Sequence, residues 1–316
     1  MSLAACGTEN AGGGPTGESS LDPSATESSS ASTDGAADCA PGDALPEASG
    51  DVGDAPTFTW PETCAPEGLQ VEVLSEGDGR EVGAGAAVLA NYAGHVWGND
   101  TEFDSSFSRG TPSMFSLNRV IDGWATGIPG ATEGSRLLIS VPPDLGYGPS
   151  GGNPDAGIGA EDTIVFVVDV VATYNADDAG QADAAALETP DLPVTVEGDL
   201  GSPATIAVDA DATDPAEPDV YRLAEGTGEP VAMGQSVAVN YTVTFWDGSS
   251  TETSWADVSA EGVVSPTAGP LVSMMGQGTI FDLLDGVPVG SRVVLVAPAS
   301  GDSPAIAVVA DVLGAA

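Results

Sequence analysis

The sequence contains no lysine and a single histidine, His95. Its 316 residues carry 48 Asp plus Glu against 6 basic residues, a formal net charge of −42, and all six are arginine: Arg80, Arg109, Arg119, Arg136, Arg222 and Arg292. Without lysine there is no phosphate loop of the Gly-Lys-Ser/Thr kind and no Schiff-base chemistry. One histidine excludes poly-histidine zinc sites and three cysteines cannot make a four-thiolate site, so no metal or cofactor is expected. Binding to nucleic acid or anionic headgroups is not expected either, because both rely on clustered Lys and Arg. No stretch approaches the roughly 18 apolar residues of a spanning helix. Any chemistry here must work without a lysine, a metal or a pair of histidines.

Aromatic residues are also scarce, at 5%, and the shortage is local: none precedes Phe58, and no basic residue precedes Arg80. Residues 7–50 are built almost wholly from Gly, Ser, Thr, Ala, Pro, Asp and Glu. Such a segment cannot bury enough apolar surface to offset its ordering entropy, so residues 1–51 read as an acidic, disordered tether. Near its start, Leu3-Ala4-Ala5-Cys6-Gly7 has the small-residue spacing of a bacterial lipoprotein cleavage site. The basic and apolar leader of a signal peptide is missing in front of it. The expectation is an exported chain, lipid-anchored through Cys6 on the outer face of the cytoplasmic membrane, its leader no longer attached; secretion in soluble form is the alternative. Cys39 and Cys64, both in Cys-Ala-Pro, could close a disulfide in an oxidising compartment or stand as two free thiols.

The remainder is organised by an internal repeat. Leu74 to Tyr92 matches Leu223 to Tyr241 at a shift of 149, and Gly134 to Pro142 matches Gly290 to Pro298 at 156. Ile164 to Val171 matches Ile306 to Leu313 at only 142, so the second copy lacks fourteen residues between its last two apolar runs. Within each copy, Val-, Ile- and Leu-rich runs between Gly and Pro punctuation read as strands. Only Val120 to Gly127 has room for a short helix. The boundaries expected are 52–174 for the first domain, 175–191 for an acidic Ala-rich linker and 192–316 for the second.

The bulky residues of the first copy fall in an ordered set: Tyr92-Ala93-Gly94, Phe103-Asp104-Ser105-Ser106, Val120-Ile121-Asp122-Gly123-Trp124, Tyr147-Gly148 and Thr163-Ile164-Val165-Phe166. This set resembles the FKBP-type peptidyl-prolyl cis-trans isomerases, fully over residues 68–174 and in degraded form over about 220–313. The resemblance implies an α+β fold of two FKBP-like domains, each a twisted antiparallel half-barrel wrapped around one short helix. It also implies a pocket with Trp124 as floor. Tyr92, Phe103, Phe115, Val120, Ile121 and Phe166 line its walls, Asp104 stands at the rim, Tyr147 offers its hydroxyl to the substrate carbonyl, and Ile158 closes the far side. The partners implied are proline-containing unfolded or exported polypeptides and macrolide inhibitors, with the chain a monomer.

That chemistry suits the inventory. Rotation about an X–Pro amide crosses a barrier of ~18–20 kcal/mol without making or breaking a bond, so no base, nucleophile or metal is required. The sequence also departs from the family: Ser113 stands where many members carry an aromatic, Gly157 replaces an apolar residue, and the loop after Tyr147 lacks a common His. His95 reads as an exposed strand-end residue. In the second copy, Thr251, Glu252 and Val308 replace Phe103, Asp104 and Phe166, and the missing residues are those that carried Tyr147 and Ile158. The second domain is therefore expected to be non-catalytic. An alternative for the whole chain is a non-catalytic peptide-binding or chaperone protein; a repeat-built adhesin would leave Tyr147 unexplained.

Overall fold

A computed structural model describes residues 39, 42, 44–189, 191–256, 263–264, 268–301 and 303–316. Cys6 and nearly all of the expected tether lie outside these residues. The first copy runs through β1 (Glu47–Ser49), β2 (Thr57–Thr59), β3 (Gln70–Ser75), β4 (Ala87–Val96), β5 (Glu102–Ser105), α1 (Ser106–Arg109), β6 (Ser113–Ser116), α2 (Asp122–Gly127), β7 (Arg136–Val141) and β8 (Ile164–Tyr174). Its sheet is antiparallel in the order β3-β7-β8-β4-β5, with β6 on β4, and β1–β2 forms a separate hairpin. The second copy follows with β9 (Ala185–Ala186), β10 (Val194–Glu197), β11 (Thr205–Val208), β12 (Asp219–Glu225), β13 (Ser236–Phe245), β14 (Thr251–Thr253), β15 (Val263–Val264), β16 (Leu271–Met274), β17 (Arg292–Ala297) and β18 (Ile306–Ala315). Its sheet order is β15-β14-β13-β18-β17-β12-β9 with β16 on β13, and β10–β11 is again a hairpin.

The uninterrupted apolar runs of β7 and β8 have a direct cause. Successive side chains point to opposite faces of a strand, and here both faces are covered. Leu137, Ile139, Val141, Phe166 and Val168 pack toward α2 with Trp124 and Ile128. Leu138, Val165 and Val167 pack outward against Phe58, Trp60 and Trp97. The outward cover is the β1–β2 hairpin, so the folded chain begins before residue 52 and the tether is shorter than composition suggests. The same hairpin corrects the reading of His95. It does end a strand, but only 7% of it is exposed: its ring lies 4.6 Å from that of Phe58, and Nδ1 lies 3.1 Å from the carbonyl oxygen of Asn99.

Each hairpin is held by a buried ion pair that the repeat conserves. Arg136 and Asp169 are 2% and 1% exposed, and Nε and Nη2 of Arg136 donate to the two carboxylate oxygens at 2.6 and 2.7 Å. The guanidinium also donates to the carbonyls of Gly50 and Asp54 in the hairpin turn, both at 2.7 Å, and Gly53 N–H donates to Asp169. Arg292 and Asp311 pair identically in the second copy, with Arg292 donating to the carbonyls of Gly198, Asp199 and Ser202. Every lone pair and proton of such a pair must be matched for it to survive burial, and the turn carbonyls match them here. The repeat thus extends upstream of Leu74, with Gly50 and Asp54 answering to Gly198 and Ser202.

The described residues of the expected linker, 175–189 and 191, are bound by both copies. Asn240 Nδ2 and Trp255 Nε1 donate to the Asp178 carbonyl at 2.8 Å, Arg80 pairs with the Asp178 carboxylate, and β9 adds to the edge of β12. Among its described residues the second copy has no α-helix, contrary to the expectation of one short helix at its centre. A 3-10 segment, Ile280–Leu284, stands at the equivalent place, with Phe281 and Leu284 packed into the core. Cys39 and Cys64 are joined as a disulfide with Cα atoms 5.0 Å apart. Among the described residues no helix is long and apolar enough to cross a membrane.

Candidate active site

The concave side of the first sheet and α2 enclose a cavity of about 520 Å³. Helix α2 can lie this close to the sheet because its second residue is glycine: a Cβ on Gly123 would meet the Val141 side chain at 2.4 Å. The approach sets the Trp124 indole, 4% exposed, at the cavity floor. Tyr92, Phe115 and Phe166 stand edge-on to it with centroids 5.5, 5.1 and 5.1 Å away, and Phe103 meets Phe166 at 5.6 Å. Edge-to-face contacts of this kind fix ring orientation as well as bury area. Glycine is again required at the back wall, where a Cβ on Gly94 would fall 2.7 Å from both Phe103 and Phe166.

One side of this box is polar. The Tyr92 hydroxyl donates to Asp104, Arg109 Nη2 donates to the Tyr92 oxygen at 2.8 Å, and Arg109 Nη1 pairs with Asp104. Burial and the bond to Asp104 push the Tyr92 hydroxyl up to about 12, against a smaller opposing pull from Arg109. Tyr92 is therefore neutral and its proton is committed to Asp104. The strand-to-helix corner that carries Asp104 is pinned by its two serines. Ser105 caps α1 by accepting from Ser108 N–H, and the buried Ser106 accepts from Tyr92 N–H at 2.8 Å and donates to Asn91.

Of the ten pocket residues expected from sequence, nine line this one cavity: Tyr92, Phe103, Asp104, Phe115, Val120, Ile121, Trp124, Tyr147 and Phe166. Ile158 does not. It is 2% exposed within the apolar core and paired through its backbone to Asn153, so it supports the Tyr147 loop from beneath. The Tyr147 side chain reaches the cavity from a loop whose 3-10 turns start at Pro143 and Gly148, and its hydroxyl bonds to no described residue. The buried Trp124 Nε1 likewise has no partner among the described residues. Sequence reasoning missed Arg109, although it lies only five residues beyond Asp104. It also read Ser113 only as a lost aromatic, whereas Ser113 Oγ accepts from Arg109 at 3.2 Å.

The second copy keeps the scaffold of this corner. Ser254 accepts from Tyr241 N–H and donates to Asn240, as Ser106 does to Tyr92 and Asn91. This fixes Thr251 and Glu252 at the positions of Phe103 and Asp104. The equivalent interior is filled by Phe281, Leu284 and Met275 packed on Val293, Leu295 and Val308.

Comparison with known proteins gives the same direction. The sequence model described as FKBP-type peptidyl-prolyl cis-trans isomerase matches residues 79–171. A probable FK506-binding protein of Corynebacterium glutamicum is 39% identical over 117 residues, which cover 37% of this chain and 96% of that protein. An FK506-binding protein of Streptomyces anulatus is 36% identical over 119 residues, 37% of this chain and 95% of that protein. The outer membrane protein MIP of Legionella longbeachae is 34% identical over 112 residues, 35% of this chain and 46% of that protein.

Proposed function

Because the chain belongs to the FKBP-type peptidyl-prolyl cis-trans isomerases, enzymes that act on proline-containing chains, we propose that it catalyses X–Pro rotation in the Trp124 pocket and serves exported proteins. The observation that carries this reading is the aromatic pocket around Trp124, into which face the Tyr147 hydroxyl and the Trp124 indole N–H, neither with a partner among the described residues. A prolyl ring fits the apolar floor, and water is excluded from the amide. Planar amide resonance separates charge, so a dry apolar site disfavours the planar ground state relative to the twisted transition state. The Tyr147 hydroxyl donates to the carbonyl oxygen as it turns, while the Tyr92–Asp104–Arg109 network holds the wall and exchanges no proton. Residues 192–316 take no part in the chemistry on this reading, because the second copy lacks the residues that carry Tyr147, and Phe281, Leu284 and Met275 fill the interior equivalent to the Trp124 pocket.

Export is supported by the Cys39–Cys64 disulfide, by the lipoprotein-like spacing before Cys6 and by the name of the Legionella relative. On this reading Cys6 carries the lipid and the protein works as a monomer outside the cytoplasmic membrane, where slow prolyl isomerisation limits folding. The test is a protease-coupled assay on the full chain beside Trp124→Ala, with near-UV circular dichroism to confirm that the variant is folded. The parent is expected to exceed the variant by at least about tenfold in kcat/KM, the scale of losing most of the oriented apolar site. Equal rates in the two proteins would refute the assignment.

A further inference from the structure

Strand β6 carries the wall residue Phe115, and it is packed from both sides. Phe115 lines the cavity and Ser113 binds Arg109 beside it, whereas Met114 points the other way, as alternation along a strand requires. Met114 is 8% exposed because it joins Ala87, Leu89 and Tyr174 of the first copy to Ala238, Val272 and Leu313 of the second. Just beyond β6, Asn118 Nδ2 donates to the Gly85 carbonyl and, across the boundary between copies, to the Ala268 carbonyl at 3.0 Å. The backbones touch there: a Cβ on Gly269 would lie 2.0 Å from the Gly85 carbonyl oxygen. Arg119, the next residue, lines both the pocket and a narrow cleft against Tyr241 and Leu271.

The element on the far side of Met114 is the repeat counterpart of β6 itself. Leu89 pairs with Met114 on one sheet as Ala238 pairs with Val272 on the other, and Leu89 and Ala238 are equivalent at the shift of 149. We propose that the second copy is a positioning element for the first: β16 and the turn at Ala268–Gly269 hold β6 and the Asn118–Arg119 lip, and so set the width of the pocket at Phe115. Met114, Asn118 and Val272 are the positioning residues. This inference rests on the isomerase reading of the Trp124 pocket. A four-residue strand paired on one edge, and anchored inward only by Phe115 and Ser113, depends for the rest on what covers its outer face. Packing its outer face against a second domain removes that freedom, and a displacement of about 1 Å at such a wall costs up to about a hundredfold in rate.

The test uses the full chain. Asn118→Ala and Val272→Ala are compared with Ile206→Ala, which cuts the second copy's core on its hairpin side, in a cluster apart from β6. Steady-state kcat and KM are measured on tetrapeptides differing in the residue before proline, alongside thermal unfolding. The interface variants are expected to raise KM and lower kcat/KM about fivefold, most for the bulkiest residue before proline, and Val272→Ile is expected to restore it. Ile206→Ala is expected to lower Tm more and leave kcat/KM unchanged. Asn118 is exposed, so its variant keeps the test decisive if Val272→Ala fails to fold. Folded interface variants within twofold of the parent, or an equal loss in Ile206→Ala, would overturn the proposal; an inactive parent would instead overturn the isomerase reading.

Discussion

Replacing Tyr147 by Phe removes one oxygen from the pocket and nothing from the fold. The hydroxyl has no bond to a described residue, so its loss leaves no orphaned protein partner. Any effect therefore falls on what the hydroxyl does to bound substrate. A neutral hydrogen bond formed in an otherwise apolar site contributes about 0.5–1.5 kcal/mol net. At 1.36 kcal/mol for each factor of ten, that corresponds to a loss of about twofold to about tenfold. Because the bond is proposed to tighten as the carbonyl turns, the loss should sit in kcat rather than KM. A protease-coupled assay on a single tetrapeptide, run from well below to well above KM, separates the two. A Tyr147→Phe enzyme with unaltered kcat and raised KM would show that the hydroxyl only binds ground state, and unaltered values of both would remove it from the mechanism.

Other expectations follow from the same contacts. Asp169→Ala leaves Arg136 charged and buried, which costs about 3–5 kcal/mol and should lower Tm by about 10 °C. The double variant Arg136→Met/Asp169→Leu should lose less than Asp169→Ala alone, and a larger loss would contradict the buried-pair account. The raised Tyr92 pKa contributes stability that is fully present below pH 10 and disappears as pH rises from 10 to about 12. A urea series across that range should show the decline in the parent and less of it in Tyr92→Phe. Cys64→Ala, which opens a loop of 25 residues, should destabilise by up to about 3 kcal/mol while leaving kcat/KM at 25 °C unaltered, because neither cysteine lines the cavity.

The pocket was legible in the sequence because each of its residues sits in a short ordered motif whose local conformation is set by neighbours. Asp104-Ser105-Ser106 carries its own cap and its own pin to β4, and Gly94 and Gly123 make room for rings and helix wherever the chain folds this way. Arg109 was not legible, because an arginine four residues from its serine partner looks like any surface cation until Tyr92 is brought beside it. His95 failed for a related reason. Its burial comes from Phe58 and Trp60, more than thirty residues away, on a hairpin too short and too plain in composition to announce itself. How the linker is held was not legible either: Ala and Asp usually mark an unbound segment, yet here Asn240 and Trp255 bind its backbone and Arg80 binds its Asp178 carboxylate.

The repeat, the strand runs of β7 and β8, the family and nine residues of one cavity could be read along the chain, since all of these depend on periodicity or on residues close in sequence. The absence of lysine and the near-absence of histidine were compatible with a reaction that moves no proton without singling it out. Tertiary structure alone decided how the two copies meet. The role of Arg136 and Arg292 came from turn carbonyls more than eighty residues upstream, and the closure of Met114 against Val272 came from two sheets whose separate sequences say nothing of one another. Such contacts join positions with no local signature, so only the folded chain reveals them.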